Sequence, residues 1–317
     1  MPPYRIMTFD GGGVKGSLMA TLVKRITDEF PNLLQEVDLF SGTSTGSVVA
    51  LTLASGFDAD TLVDFYSQAN LRSAFSPSHF NWFRPRYNNA HFRALLESHF
   101  PGNPRLRDLK HNLVAPTFKL DNQKKKDWAP LFAHNFPDSH HLDDLVVDTA
   151  LRSAAAPTIF PSHQGFIDGG MVANNPSTVA IAMAIGHRKP TPALEDIRCL
   201  SIGTGLTPTI VQHDTQNWGV IQWMLNPFRK PDNPLLNILF DGVVEADSSL
   251  SKHLLGKRHW RLNPKLAVPT ELDNWKAIPQ LVQTAKDYDL APTFKWIQQY
   301  WLASGLTASA GALPSHQ

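Results

Sequence analysis

The sequence predicts an α/β protein with a mostly parallel central sheet and helices on both faces. Short apolar runs alternate with longer amphipathic stretches from the first residues onward. Glycine-rich turns follow the first two apolar runs, and no internal repeat interrupts this order. Strands that alternate with helices favour parallel pairing, with the crossover helices covering both faces of the sheet.

The elements follow one another closely along the chain. Residues 4–9 are predicted to form a strand, 17–30 an amphipathic helix, 37–41 a second strand and 47–55 a helix of small apolar residues. Since the last of these is apolar on most sides, we expect it to be buried. The later predicted elements are helices at 91–100, 145–155 and 176–186 and strands at 113–120, 128–132 and 200–203.

Two stretches lack periodicity, residues 76–87 and 203–237, and both are predicted to be long loops or caps. We expect one domain over residues 1–302, of which 206–302 is the part the sequence defines least. Residues 303–317 are small and polar, and they are predicted to form a disordered tail.

Composition excludes several classes of protein. The 317 residues are 42% hydrophobic and 18% charged with a net charge of +1, which is typical of a globular chain and excludes disorder as the main state. No basic run is longer than Lys124-Lys125-Lys126, interpreted as a solvated turn between two strands, so no nucleic-acid partner is expected.

Cysteine content and hydropathy indicate the compartment. The single Cys199 cannot form an intrachain disulfide, and its apolar run at 197–202 predicts a buried strand. We find no signal peptide and no uninterrupted apolar stretch of about 18 residues. A cytoplasmic protein is expected, with peripheral membrane association and signal-independent export left open.

The segment Gly42-Thr43-Ser44-Thr45-Gly46 fits the pattern G-x-S-x-G. An apolar strand precedes it and an apolar helix follows it, which is the context of a nucleophile elbow. Gly42 and Gly46 avoid steric clashes on such a sharp turn. Ser44 is therefore a candidate nucleophile, and a purely structural turn is the alternative.

Residues 10–16 form a second glycine-rich segment between a strand and a helix. Their pattern also fits G-x-G-x-x-G, but Glu36 and Asp38 precede or begin the second strand, whereas dinucleotide binding needs an acidic residue at its end. Ser17 stands where a phosphate-binding loop needs lysine. The remaining interpretation is a set of backbone N–H groups suited to an oxyanion.

Asp168, in Ile167-Asp168-Gly169-Gly170, is a candidate base at a strand end, although an Asp-Gly pair usually marks a turn. A Ser-Asp-His order would need a later histidine, and His187 fits better as a helix-end residue that meets the dipole. The later histidines are His187, His213, His253, His259 and His316.

Several motifs in the same order resemble the patatin-like phospholipases over residues 4–205. Residues 10–16 are similar to that family's oxyanion segment, 42–46 to its nucleophile elbow and 168–170 to its catalytic Asp motif. Further similar segments are Ser153-Ala154-Ala155-Ala156-Pro157, Phe160-Pro161, Asn174-Asn175-Pro176 and Ser201-Ile202-Gly203-Thr204-Gly205.

The resemblance implies a three-layer α/β/α fold and a Ser-Asp dyad without histidine, metal or cofactor. Ser44 would be the nucleophile and Asp168 the base, whose usual pKa of about 3.9 burial would have to raise. The oxyanion donors would be the N–H groups of Gly11, Gly12 and Gly13. Lys15 matches a basic position of the family, with an exposed helix-start residue as the alternative.

The expected function is a serine lipid acyl hydrolase of the phospholipase A or lysophospholipase type. It would cleave carboxylic ester bonds of glycerophospholipids or glycolipids through an acyl-enzyme. Two alternatives stay open: an acyltransferase that uses the same site, and a nucleotide-binding module built on the glycine-rich loop.

Aromatic and cationic residues mix in 79–87 and 218–230. This combination suits a membrane interface, and transient membrane contact is predicted through Trp82, Phe83, Trp223 and Phe228. The alternative is that these aromatics cap the core.

Overall fold

The computed structural model describes residues 2–79, 83–122, 127–206, 211, 214–224 and 234–302. Within these residues a seven-stranded sheet forms the centre of the molecule. Its strands are β1 (Tyr4–Phe9), β2 (Leu39–Gly42), β3 (Asn112–Asn122), β4 (Asp127–His134), β5 (Phe166–Asp168), β6 (Ile197–Ile202) and β7 (His259–Leu262).

The sheet has the order β4-β3-β2-β1-β6-β7, with β5 paired to β3 outside this path. Strands β3, β2, β1, β6 and β7 are parallel to their neighbours in this order, whereas β4 and β5 run antiparallel to β3. The predicted mostly parallel sheet is therefore confirmed, with an antiparallel strand at one edge.

The helices lie on both faces of this sheet. They are α1 (Gly16–Glu29), α2 (Thr45–Ala54), α3 (Ala59–Phe65), α4 (Gln68–Ala74), α5 (Ala90–His99), α6 (Val146–Ser153), α7 (Gly170–Ala173), α8 (Ser177–His187), α9 (Val220–Met224), α10 (Pro234–Asn237), α11 (Val243–Leu255), α12 (Ile278–Asp287) and α13 (Ala291–Trp296).

Strand β1 shows how the two cores are divided. Its side chains alternate, so Met7 and Phe9 join the larger core with α1, α2 and α12, while Tyr4 and Ile6 join the second core with α8. A sheet buried on both faces gives the three layers that the resemblance implied.

The elements predicted before residue 203 are present, with ends within about three residues of the predicted ones. Cys199 is buried in β6, as expected. The prediction of a loop throughout 203–237 is wrong, because this stretch contains α9 and ends in α10. Residues 124–126 and 303–317 lie outside the described residues, so the turn and the tail stay predictions.

The part least defined by the sequence, residues 206–302, supplies β7 to the sheet and α12 to the face covered by α1. Among the described helices, none combines the length and the apolar character needed to cross a membrane.

Candidate active site

Ser44 lies on a strained turn between β2 and α2. Its backbone has φ 54° and ψ −124°, a conformation that side-chain-bearing residues rarely adopt outside functional sites. A Cβ at Gly42 would lie 1.9 Å from the carbonyl oxygen of Gly46, and one at Gly46 would lie 2.2 Å from that of Phe9. The elbow can therefore close only with glycine at both positions.

Strands β2 and β5 point toward each other along the same side of β3. Ser41 of β2 pairs with Val114, and Asp168 of β5 pairs with Thr117, three residues further along β3. Because β2 is parallel and β5 antiparallel to β3, their carboxyl ends meet. The structure thus brings Ser44 and Asp168 into side-chain contact.

Ser153 connects the turn at Ser44 to the neighbouring strands. Its hydroxyl accepts the N–H of Ser44 at 3.0 Å and donates to the carbonyl oxygen of Pro116 at 2.7 Å. Two residues later, the carbonyl of Ala155 accepts the N–H of Asp168 at 3.0 Å. The segment 153–156 therefore holds both candidate catalytic residues in place.

Asp168 is fully buried, and its Oδ1 accepts the N–H of Gly170 at 2.6 Å. Burial raises the pKa of Asp168 to about 7, and hydrogen bonding to Ser44 and Gly170 offsets part of this rise. Oδ2 has no hydrogen-bond partner among the described residues, so this oxygen is free to accept a proton. A carboxyl with a pKa near neutrality can exchange a proton with a hydroxyl beside it.

The glycine-rich loop touches Ser44, since a Cβ at Gly11 would lie 3.2 Å from the Ser44 Cβ. The N–H of Gly11 donates to the carbonyl of Asn174 at 2.9 Å, so this expected oxyanion donor is already used. No backbone hydrogen bond within the described part of the chain uses the N–H of Gly12 or Gly13. These two N–H groups remain as donors for a negatively charged oxygen.

Asp10 anchors this loop through a buried ion pair that the sequence analysis missed. Its carboxylate accepts hydrogen bonds from Arg261 of β7 at 2.9 and 2.5 Å, and Arg261 also donates to Ser201 at 2.9 Å. Burial raises the pKa of Asp10, and the charge of Arg261 opposes that rise. An arginine within a short apolar strand was the available sequence signal.

Lys15 is only 3% exposed, so the alternative of an exposed helix-start residue is wrong. It lies in a short 3₁₀ turn within the loop, and its positive charge lowers the pKa of Asp10. Lys15 is therefore part of the electrostatic surroundings of the glycine-rich loop.

An apolar pocket opens beside Ser44. Aromatic and aliphatic side chains from α2 to α5 form one wall, and the segment before β5 forms the other. The lining residues are Gly13, Ser44, Thr45, Val48, Phe65, Tyr66, Leu71, Phe75, Phe92, Ala154, Ala156, Ile159, Phe160 and Leu272. Such a lining accommodates hydrocarbon and excludes water.

Asp273 holds the irregular segment at 83–89 next to this pocket, where the Tyr87 ring contacts those of Phe75 and Phe160. The Asp273 carboxylate contacts the Arg86 guanidinium at 2.6 Å and accepts the Tyr87 hydroxyl at 2.9 Å. The N–H of Arg86 donates to the carbonyl of Thr158 at 2.9 Å. Sequence analysis had no signal for this link, which joins residues far apart in the chain.

Among the described residues, no histidine takes part in the contacts of Ser44 and Asp168. Within the described ranges, no histidine side chain hydrogen-bonds Ser44 or Asp168. His187 lies at the end of α8, as predicted, and pairs with Asp138 at 2.8 Å. His213 and His316 lie outside the described residues.

The acidic residues considered for nucleotide binding lie at the wrong edge of the sheet. Asp38 precedes β2 and its carboxylate accepts the N–H of Arg5 at 2.8 Å. The glycine-rich loop follows β1 at the opposite, carboxyl edge. Asp38 therefore cannot bind a ribose next to that loop.

Of the four residues predicted to contact a membrane, Trp82 and Phe228 lie outside the described residues. Phe83 is 95% exposed, and the ring of Trp223 packs 5.2 Å from that of Trp218. Membrane contact through this set stays a prediction.

A three-layer α/β architecture with a serine on a strained strand-to-helix turn, a glycine-rich loop and an apolar pocket defines a class of lipid-ester hydrolase. The patatin-like phospholipase family model matches residues 7–181, and the chain belongs to this family.

Curated relatives extend the similarity to nearly the whole chain. The CotR protein of Bacillus subtilis is 36% identical over 95% of this chain and 99% of its own. Protein teg of Priestia megaterium is 36% identical over 95% of this chain and 100% of its own. A cGAMP-activated phospholipase of Pseudomonas aeruginosa is 26% identical over 89% of this chain and 84% of its own.

Proposed function

We propose that the protein is a serine lipid acyl hydrolase in which Ser44 is the nucleophile and Asp168 the base. The observation that carries the proposal is the strained Ser44 elbow in contact with a buried carboxyl whose pKa is raised to about 7. Membership of a phospholipase family supports the same reaction type.

In the first step, the Ser44 hydroxyl gives its proton to Asp168 while Oγ attacks the ester carbonyl carbon. The N–H groups of Gly12 and Gly13 bind the oxyanion, and losing one such donor typically raises a barrier by about 2.7 to 4 kcal/mol. Asp168 then protonates the leaving alcohol as the carbon–oxygen bond breaks, which leaves an acyl-enzyme.

In the second step, water attacks the acyl-enzyme and gives a proton to Asp168. The tetrahedral intermediate collapses, Ser44 recovers its proton, and the fatty acid leaves. Each proton removed by Asp168 is returned, so the proposed cycle needs neither a metal ion nor a cofactor.

The proposed substrates are carboxylic esters of glycerophospholipids or glycolipids. The apolar pocket next to Ser44 supports this choice because it can take up an acyl chain while the ester lies at the elbow. A single acyl pocket beside Ser44 would bind one acyl chain at a time, as phospholipase A or lysophospholipase activity requires. Membrane contact through Trp82, Phe83, Trp223 and Phe228 would supply the lipid.

Transfer of the acyl group to an alcohol or lysolipid is the second candidate at the same site. It would differ only in which nucleophile attacks the acyl-enzyme, so product analysis with and without a lysolipid separates the two. The nucleotide-binding alternative is disfavoured by the position of Asp38 at the other edge of the sheet.

A fluorophosphonate probe tests the nucleophile directly. We expect one adduct on Ser44 in the wild type, none in Ser44→Ala, and much slower labelling in Asp168→Asn. Ser55→Ala is a matched control, since Ser55 ends α2 and bonds only its own helix. Labelling that persists in Ser44→Ala would contradict the proposal.

Chain-length preference tests the pocket. Ile159 lines it and is partly exposed, so Ile159→Trp should narrow it without unfolding the protein. We expect kcat/KM for a hexadecanoyl nitrophenyl ester to fall about tenfold and that for the butanoyl ester to stay unchanged. Ile185→Trp, on the outer side of α8, is the control; equal losses for both esters would argue against an acyl pocket here.

A further inference from the structure

Three side chains with metal-binding chemistry meet outside the candidate active site. His134 ends β4, Asp138 lies in the turn that follows, and His187 ends α8. One ring nitrogen of each histidine and a carboxylate oxygen of Asp138 lie within 4.8 Å of one another. None of the three lines the apolar pocket beside Ser44.

Neighbouring contacts hold this group in position. Asp138 Oδ2 and His187 Nδ1 are 2.8 Å apart, and the Phe136 ring stacks on the His187 ring with 11° between their planes. The Ser139 hydroxyl donates to the carbonyl of His134 at 2.5 Å, which closes the turn carrying Asp138. The ring centroids of His134 and His187 are 4.6 Å apart.

A simple ion pair explains only part of this arrangement. His187 at the end of α8 is accounted for by Asp138 and the helix dipole. His134 is not, because its side chain is 7% exposed and its Nδ1 is buried without a hydrogen-bond partner among the described residues. Leaving such an atom buried and unpaired is unfavourable, and a metal bound through it would remove that penalty.

We propose that His134, Asp138 and His187 bind one divalent transition-metal ion of the zinc type. Two imidazole nitrogens and one carboxylate oxygen form a common zinc ligand set, with water in the fourth position. With metal–ligand bonds of about 2.0 to 2.1 Å, tetrahedral donors lie about 3.3 Å apart. Binding would therefore open the 2.8 Å contact between Asp138 and His187 and draw in any donors that lie farther apart than this. The ion would fasten the edge strand β4 to α8 and take no part in ester cleavage.

Calorimetric titration with ZnCl2 tests the site on untagged protein stripped of metal. We expect one ion per chain in the wild type, and an affinity at least about tenfold lower in Asp138→Asn and His187→Gln. Both variants leave the buried His134 in place, which protects folding. His253→Gln, on an exposed face of α11 where Nδ1 contacts Ser249, controls for surface histidines.

Thermal unfolding supplies the second readout. A saturating excess of ZnCl2 should raise the Tm of the wild type and of His253→Gln by about 5 °C, and it should not raise the Tm of the two site variants. The proposal is overturned if the wild type binds no zinc, or if Asp138→Asn and His187→Gln bind it as tightly as the wild type does.

Discussion

At the scale of single residues, the burial of Asp168 suits its proposed role as a base and carries a cost in stability. No cation pairs with its carboxyl in the described residues, and complete burial raises its pKa to about 7. The same burial that would suit it to act as the proposed base penalises its ionised form in the folded protein. Both effects can be measured, one as the pH dependence of activity and the other as the pH dependence of stability.

Activity should depend on ionised Asp168. Because the base must be deprotonated to accept the Ser44 proton, we expect kcat/KM to level off above pH about 7 and to fall about tenfold per pH unit below it. Initial rates with a soluble short-chain ester between pH 5 and 9 would check this. A plateau reaching down to pH 5 would contradict Asp168 as a base of raised pKa.

The contribution of Asp168 to stability should fall as pH rises, whereas activity should increase. The folded-state pKa of about 7 exceeds the unfolded value of about 3.9, so the folded state binds the extra proton between these two values. The contribution of Asp168 to stability is therefore largest below pH about 4, falls as pH rises to about 7, and stays constant above. In Asp168→Asn the amide side chain does not titrate, so this contribution no longer varies with pH.

We accordingly expect Asp168→Asn to be more stable than the wild type at pH 8, by up to about 4 kcal/mol, and similar to it at pH 4. Urea unfolding at both pH values measures the difference, in which other titrating groups cancel. A variant that is less stable at pH 8 would show that the carboxylate is favourably solvated in the folded state.

At the scale of elements, the segment 153–156 joins the Ser44 turn to β5. One hydroxyl, that of Ser153, bonds both the N–H of Ser44 and the carbonyl of Pro116 in β3. The position of Ser44, the proposed nucleophile, relative to Asp168 therefore depends on Ser153, which has no role in the proposed reaction.

Ser153→Ala would leave two buried backbone groups unpaired. We expect it to lower the free energy of unfolding by about 1 to 3 kcal/mol and the rate of fluorophosphonate labelling of Ser44 about tenfold. Ser98→Ala, which removes an exposed hydroxyl bonded within α5, should change neither. Unchanged labelling in a destabilised Ser153→Ala would limit Ser153 to a structural role.

Local patterns predicted five of the seven strands and the longer helices before residue 203, because apolar periodicity and glycine spacing act over a few residues. The elbow at Ser44 was predictable in this way, as was Asp168 from its motif. The position of β5, whose carboxyl end faces that of β2, was not predictable from the sequence. Strand β5 has only three residues, and it pairs with β3 across a long stretch of chain. The links from Asp10 to Arg261 and from Arg86 to Asp273 have no local signal either.

At the scale of the whole molecule, the last third of the chain completes the fold. Arg261 of β7 holds Asp10 at the carboxyl end of β1, and α12 packs on α1. The matched family region ends at residue 181, well before these elements. We expect the glycine-rich loop to lose its position when this last third is removed.

Arg261→Met tests this dependence. It leaves the buried Asp10 without its cation, so we expect a loss of about 3 to 5 kcal/mol in the free energy of unfolding. Adding Asp10→Asn should recover part of that loss, because no charge then stays buried. Arg107→Met, which removes an exposed pair with Asp143, should change stability by less than about 1 kcal/mol; equal effects at both positions would contradict the assignment.

The alignment of β2 and β5 on one side of β3 separates two tasks within the chain. The relative position of Ser44 and Asp168 is set by backbone pairing to one strand. Most of the pocket wall comes instead from residues 65–92 and 154–160, which lie between these strands in the sequence. If the proposed function is right, the part of the wall at 65–92 can be exchanged, and with it the choice of acyl chain, while Ser44 and Asp168 keep their places.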